Sequence, residues 1–213
     1  MASKFLIPSV VLASGGIGAA GVGGYMAWTK GKETFRNKYS KAILADSDSL
    51  WDTKFASFKK DGKPKHPTLI SAKSKDSSSG DNTAKELYKQ GCQEIYDSDW
   101  NNSSYFDDFK SYCAKTVKEG IENSKKWISE ETTNKGKWDT KLTNLKTHNP
   151  SQNKTLDQKL EALKTQLSNI AESSFQEGHR KLLKEWCESS QGEIFMGNDD
   201  FKTIHSSLYC VES

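Results

Sequence analysis

Trp51-Asp52-Thr53-Lys54 returns as Trp138-Asp139-Thr140-Lys141, and bulky apolar residues follow each Trp by four and seven positions: Phe55 and Phe58, then Leu142 and Leu145. That spacing places one apolar face on a helix. Further pairs recur in the same order. Leu87-Tyr88-Lys89-Gln90-Gly91-Cys92 returns as Leu182-Leu183-Lys184-Glu185-Trp186-Cys187. Asp107-Asp108-Phe109-Lys110 returns as Asp199-Asp200-Phe201-Lys202, and Tyr112-Cys113 as Tyr209-Cys210. A tandem duplication with one cysteine pair per copy organises the chain. It divides the sequence into an N-terminal segment, 1–31, and two helical repeats, 32–117 and 118–213.

Hydrophobic residues make up 34% of the chain and charged residues 28%, so the core is thin, and the six Trp and nine Phe help to fill it. The net charge of +3, with Lys and Glu interspersed and no basic stripe, argues against nucleic acid as a partner.

Phe5 to Trp28 carries no charge, with Lys4 before it and Lys30, Lys32, Arg36 and Lys38 after it. That length crosses a bilayer core of about 30 Å as a helix. One reading is an uncleaved anchor with Tyr25 and Trp28 at the interface; the other is a signal peptide cleaved near Gly18-Ala19-Ala20. Gly16, Ala20 and Gly24 recur at four-residue spacing, the small-residue pattern of membrane helix pairs, which would allow a homo-oligomer through this segment. Gly16-Ile17-Gly18-Ala19-Ala20-Gly21 also matches a dinucleotide fingerprint, but no βαβ unit follows it. The positive charge after the segment favours a cytoplasmic body. The paired cysteines favour an oxidising exterior, and that reading is preferred.

No period-two strand pattern appears, and the body is expected to be all-α. Helices are expected over 35–45, 84–96, 105–117, 121–131 and 200–209. Thr155-Leu156-Asp157-Gln158 reads as a capping box, followed by an apolar stripe of Leu156, Leu160, Leu163, Leu167 and Ile170 in a helix continuing to Cys187. The stripe would pack on the protein's own helices or pair with another copy. Residues 62–67, 71–83 and 147–152 read as exposed loops.

Intra-copy disulfides, Cys92–Cys113 and Cys187–Cys210, are favoured, because a unit that once stood alone would pair internally; sequence alone leaves all three pairings open. No short C-x-x-C spacing points to zinc. His66 and His148 fit surface loops, and His179 and His205 fit helix surfaces. Asp107-Asp108 and Asp199-Asp200 fit helix starts, where carboxylates favour the dipole. Trp100, in Asp99-Trp100-Asn101-Asn102, is the aromatic candidate for anchoring a partner. No catalytic, cofactor or metal motif is present.

The Gly-rich hydrophobic start, the length near 200 residues, the Lys- and Ser-rich body, and Trp186-Cys187 followed by Tyr209-Cys210 resemble the large paralogous families of short uncharacterised proteins of haemotropic mycoplasmas. The resemblance covers most of the chain through loose motifs. It implies a membrane-associated, surface-exposed, non-enzymatic protein engaged in host contact or antigenic diversity, with a host protein or antibody as partner. The rival expectations are a cytoplasm-facing structural membrane protein and, last, an unrecognised hydrolase.

Overall fold

The two tryptophans of the repeated motif anchor two separate cores. A computed structural model of the chain describes residues 33–75, 82–101, 103–122 and 125–212. Gly16, Ala20, Gly24 and the apolar N-terminal segment lie outside them. Among the described residues no helix is long and apolar enough to cross a membrane. Glu33–Ser213 forms one compact unit. It is all-helical: α1 (Phe35–Lys38), α2 (Leu50–Asp61), α3 (Pro67–Ser74), α4 (Thr83–Tyr96), α5 (Phe106–Asp108) running into a π-helical turn (Phe109–Cys113), α6 (Val117–Glu122), α7 (Lys135–Lys146), α8 (Pro150–Asn153), α9 (Gln158–Leu167), α10 (Glu177–Gln191) and α11 (Phe201–Tyr209).

One hydrophobic cluster gathers residues between Phe35 and Ala114, the other residues between Val117 and Val211. In the first, Trp51 meets Tyr88 edge-on and Phe58 tilts against the same ring at 4.8 Å. In the second, Trp138, Leu142 and Leu145 of α7 bury against Leu160, Leu163 and Leu167 of α9. Each indole nitrogen reaches back to a backbone carbonyl: Trp51 to Ala45 at 2.7 Å and Trp138 to Glu130 at 3.0 Å. Such an outlet keeps a buried indole N–H satisfied.

Several elements depart from the expectations above. Helix α1 stops at Lys38. The helix expected over 121–131 is not formed: α6 ends at Glu122, and residues 126–128 run beside the C-terminus, with Ile128 N–H donating to Cys210 O at 2.9 Å and Glu212 N–H to Lys126 O at 2.7 Å. Pro67 and residues 71–74, expected as loop, are helical, because Pro67 starts α3 at a position where its missing N–H costs nothing, and Leu69 and Ala72 bury; Pro150 likewise starts α8 within the loop expected over 147–152.

The Leu stripe turns inward, as one of its two readings required, but its helix is shorter. Asp157, not Thr155, caps it, accepting from the amides of Lys159 and Leu160 at 3.0 Å each. The helix ends at Leu167, and α10 begins afresh at a reciprocal cap between Gln176 and His179. Phe175, extended between the two, fills the core with its side chain.

Candidate functional site

Cys92 and Cys113 are joined, as are Cys187 and Cys210, closing sequence separations of 21 and 23 residues. Each bridge ties a long amphipathic helix, α4 or α10, to the end of the last helical segment of its own half. No cysteine is free.

The bridges set the register of what lies beside them. One residue before the second cysteine of each pair stands a tyrosine, and both tyrosines hold the loop of their own half. Tyr112 OH accepts from the amide of Lys63 at 2.9 Å. Tyr209 OH lies 2.6 Å from His148 Nδ1. Because His148 Nε2 meets the Lys154 carbonyl at 2.8 Å, Nε2 carries a proton and donates there, leaving Nδ1 to face the tyrosine hydroxyl.

Five residues before the second cysteine stand Asp108 and His205. Asp108 is buried, and its Oδ2 accepts from the amides of Lys65 and His66 at 2.8 and 2.7 Å. His205 is also buried, and its Nε2 donates to the Asn153 carbonyl at 2.9 Å. Asp108 thus fastens the loop ahead of the proline-started α3, whereas His205 fastens the last residue of the proline-started α8. Lys154 has a φ of 63°, a conformation unusual for a side chain with a Cβ, and the His148 contact to its carbonyl holds it there.

These contacts correct the surface assignments of His66, His148 and His205, all of which are buried. They also correct the Asp-Asp alignment. Asp200 caps α11 as expected, accepting from Lys202 N–H at 2.9 Å. Asp108 also lies in the first turn of its helix, as expected, but its carboxylate binds a distant loop instead of capping. Phe109 is fully buried while its aligned counterpart Phe201 is 39% exposed, so the two Asp-Asp-Phe-Lys stretches are not spatial equivalents. Counting back from the cysteine exposes the functional register, a signal present in the sequence.

Trp100 is half-buried and packs on its own half. Its Nε1 donates to Glu33 at 2.7 Å, Tyr39 meets it edge-on, and the Lys38 ammonium sits 4.7 Å from its ring. Thr116-Val117-Lys118-Glu119 forms a capping box at the start of α6, a pattern readable in the sequence though not among the expectations. Glu119 accepts from Thr116 N–H at 2.8 Å and also pairs with the buried Lys54 ammonium at 2.9 Å, joining the two halves.

Among the described residues no three His, Cys, Asp or Glu side chains gather as a metal-binding set. What the arrangement offers is two covalently closed helical scaffolds, each with a pinned loop on its surface. Searches of protein families, of curated proteins and of solved structures find no match to this chain.

Proposed function

We propose that the protein is a non-enzymatic, membrane-anchored surface protein whose N-terminal segment presents two disulfide-closed helical repeats to the exterior. The observation that carries this reading is the pair of intra-half disulfides, each closing its own hydrophobic cluster. Bridges of this kind persist in oxidising surroundings and strengthen small cores. The repeats serve as scaffold, and the loop candidates of the sequence, around His66, within 71–83 and around Trp100, contact a host component or act as immune targets. Membrane association and a homo-oligomer through Gly16, Ala20 and Gly24 belong to the same proposal.

Limited proteolysis of intact cells tests it. Cleavage between residues 75 and 82 without lysis is the expected result. Complete protection until lysis would refute surface display.

A further inference from the structure

The rings of His148 and His205 meet edge to face, 5.5 Å apart, and both are buried. His148 follows the end of α7, and His205 lies within α11. Each holds one carbonyl of a consecutive pair. His205 Nε2 donates to Asn153 O at 2.9 Å, and His148 Nε2 to Lys154 O at 2.8 Å. Apolar packing does little to secure the segment that carries these carbonyls. None of Pro150–Asn153 is buried, and the second core takes no side chain from 149–155, whereas Leu156 belongs to it. The Lys154 ammonium adds a bond to Asp199 O. Residues 149–155 are therefore a strap across the two rings, fastened by hydrogen bonds rather than by burial.

The two rings are not equally provided for. Nδ1 of His148 faces the Tyr209 hydroxyl at 2.6 Å, a group that can donate or accept. Nδ1 of His205 is buried and has no hydrogen-bond partner among the described residues. A proton there would create an N–H without an acceptor and a positive charge beside the His148 ring. Asp157, ahead of α9, is the carboxylate that favours such a charge, but it already pairs with Lys202 of α11 at 3.2 Å and accepts from the Trp186 indole at 2.6 Å. Lys164 of α9 donates to His148 O at 3.1 Å, and Asp199 and Asp200 stand ahead of α11. Burial raises the Tyr209 pKa, so its hydroxyl stays protonated. Burial above all, opposed by the Asn153 carbonyl and reinforced by His148, holds the His205 pKa below its ordinary value. Hydrating a charged His205 requires opening the core or lifting the strap, and the strap adds nothing apolar to the core.

We propose that the two histidines form an acid-sensitive latch: proton uptake by His205 lifts residues 149–155 off the second core, while α9, α10 and α11 stay packed and the Cys187–Cys210 bridge stays closed. The latch depends on the second half alone and not on surface display. The open form takes up the proton more readily than the closed form, so acidification populates it. The test is NMR on full-length oxidised protein between about pH 7.5 and 5.0, where carboxylates remain largely ionised. Backbone order parameters of residues 151–155 should fall from about 0.85 to below about 0.6, while those of α9, α10 and α11 hold. The midpoint should lie below 6.5, the ordinary His205 value, and the His205 Cε1–H signal should titrate with the same midpoint. His205→Gln keeps a donor for the Asn153 carbonyl, takes up no proton and should abolish the transition. If that variant does not fold, the coincidence of midpoints in the unaltered chain decides the matter. A strap still ordered at the acid end of the range, or loosened only together with α9 to α11, would overturn the proposal. So would a midpoint different from that of His205, or a transition retained in His205→Gln.

Discussion

Asp108 and His205 occupy the same place, five residues before a bridged cysteine, and each fastens chain beside a proline-started helix, with opposite chemistry. Asp108 accepts from two backbone amides at 2.8 and 2.7 Å, whereas His205 donates to one backbone carbonyl at 2.9 Å. The segments beside the two proline-started helices are therefore held by different side chains, and they respond differently to substitution.

Asp108→Ala strands two amide donors, one of them buried, and each stranded buried group costs about 1–3 kcal/mol. Urea unfolding should show a loss of about 2–4 kcal/mol. Asp108→Asn retains a carbonyl oxygen able to accept both bonds and should lose less than half of that. Equal losses in the two variants would mean that the charge, not the acceptor, holds the loop.

Stability should fall as the pH drops below 6.5. Burial above all, with a smaller push from His148, holds the His205 pKa below its ordinary 6.5, against the opposing pull of the Asn153 carbonyl and Asp157. The unfolded chain takes up a proton near that value while the folded chain resists, so the unfolded state binds more protons and gains on acidification. Urea midpoints measured between about pH 7.5 and 5.5 lie above the usual carboxylate range and isolate histidine titration. His205→Gln, which keeps a donor toward Asn153, should flatten the profile in this window. An unaltered slope would assign the effect to another group.

Two helical glycines should respond in opposite directions to alanine. A Cβ at Gly178 meets nothing within 4 Å, so Gly178→Ala should stabilise by up to about 1 kcal/mol through helix propensity. A Cβ at Gly120 would lie 2.4 Å from the Phe195 ring, so Gly120→Ala should destabilise by about 1–3 kcal/mol through overpacking. Paired thermal melts of the two variants read both signs.

Opening the second bridge should loosen the second half. Replacing Cys187 and Cys210 together by serine frees a closure spanning 23 residues, which the chain-entropy argument values at about 3 kcal/mol. Hydrogen exchange should quicken first in α10 and α11 and more slowly in the first-half cluster, because the two cores are separate. Uniform quickening would show the two cores unfolding as one unit.

The helices α4, α7 and α11 were legible because each carries an apolar period and a cysteine or Trp marker. The cysteine pairing was legible because the motifs that carry the cysteines recur in the same order in the sequence. The break after Leu167 was not, since the reciprocal cap of Gln176 and His179 is not the usual Ser/Thr signature. The burial of His148 and His205 was equally hidden. It depends on carbonyls of Asn153 and Lys154 that only the fold brings within reach. Aligning the halves on Asp-Asp-Phe-Lys concealed the Asp108–His205 equivalence, because the closing helical segment runs five residues from Phe109 to Cys113 and nine from Phe201 to Tyr209.

The central claim is that each half is closed by its own disulfide in an oxidising compartment. Non-reducing peptide mapping tests it most directly, on protein alkylated at the moment its native cells are lysed. Linked peptides Cys92–Cys113 and Cys187–Cys210, with no alkylated cysteine, are the expected result. Four alkylated thiols, or a bridge between the halves, would contradict it.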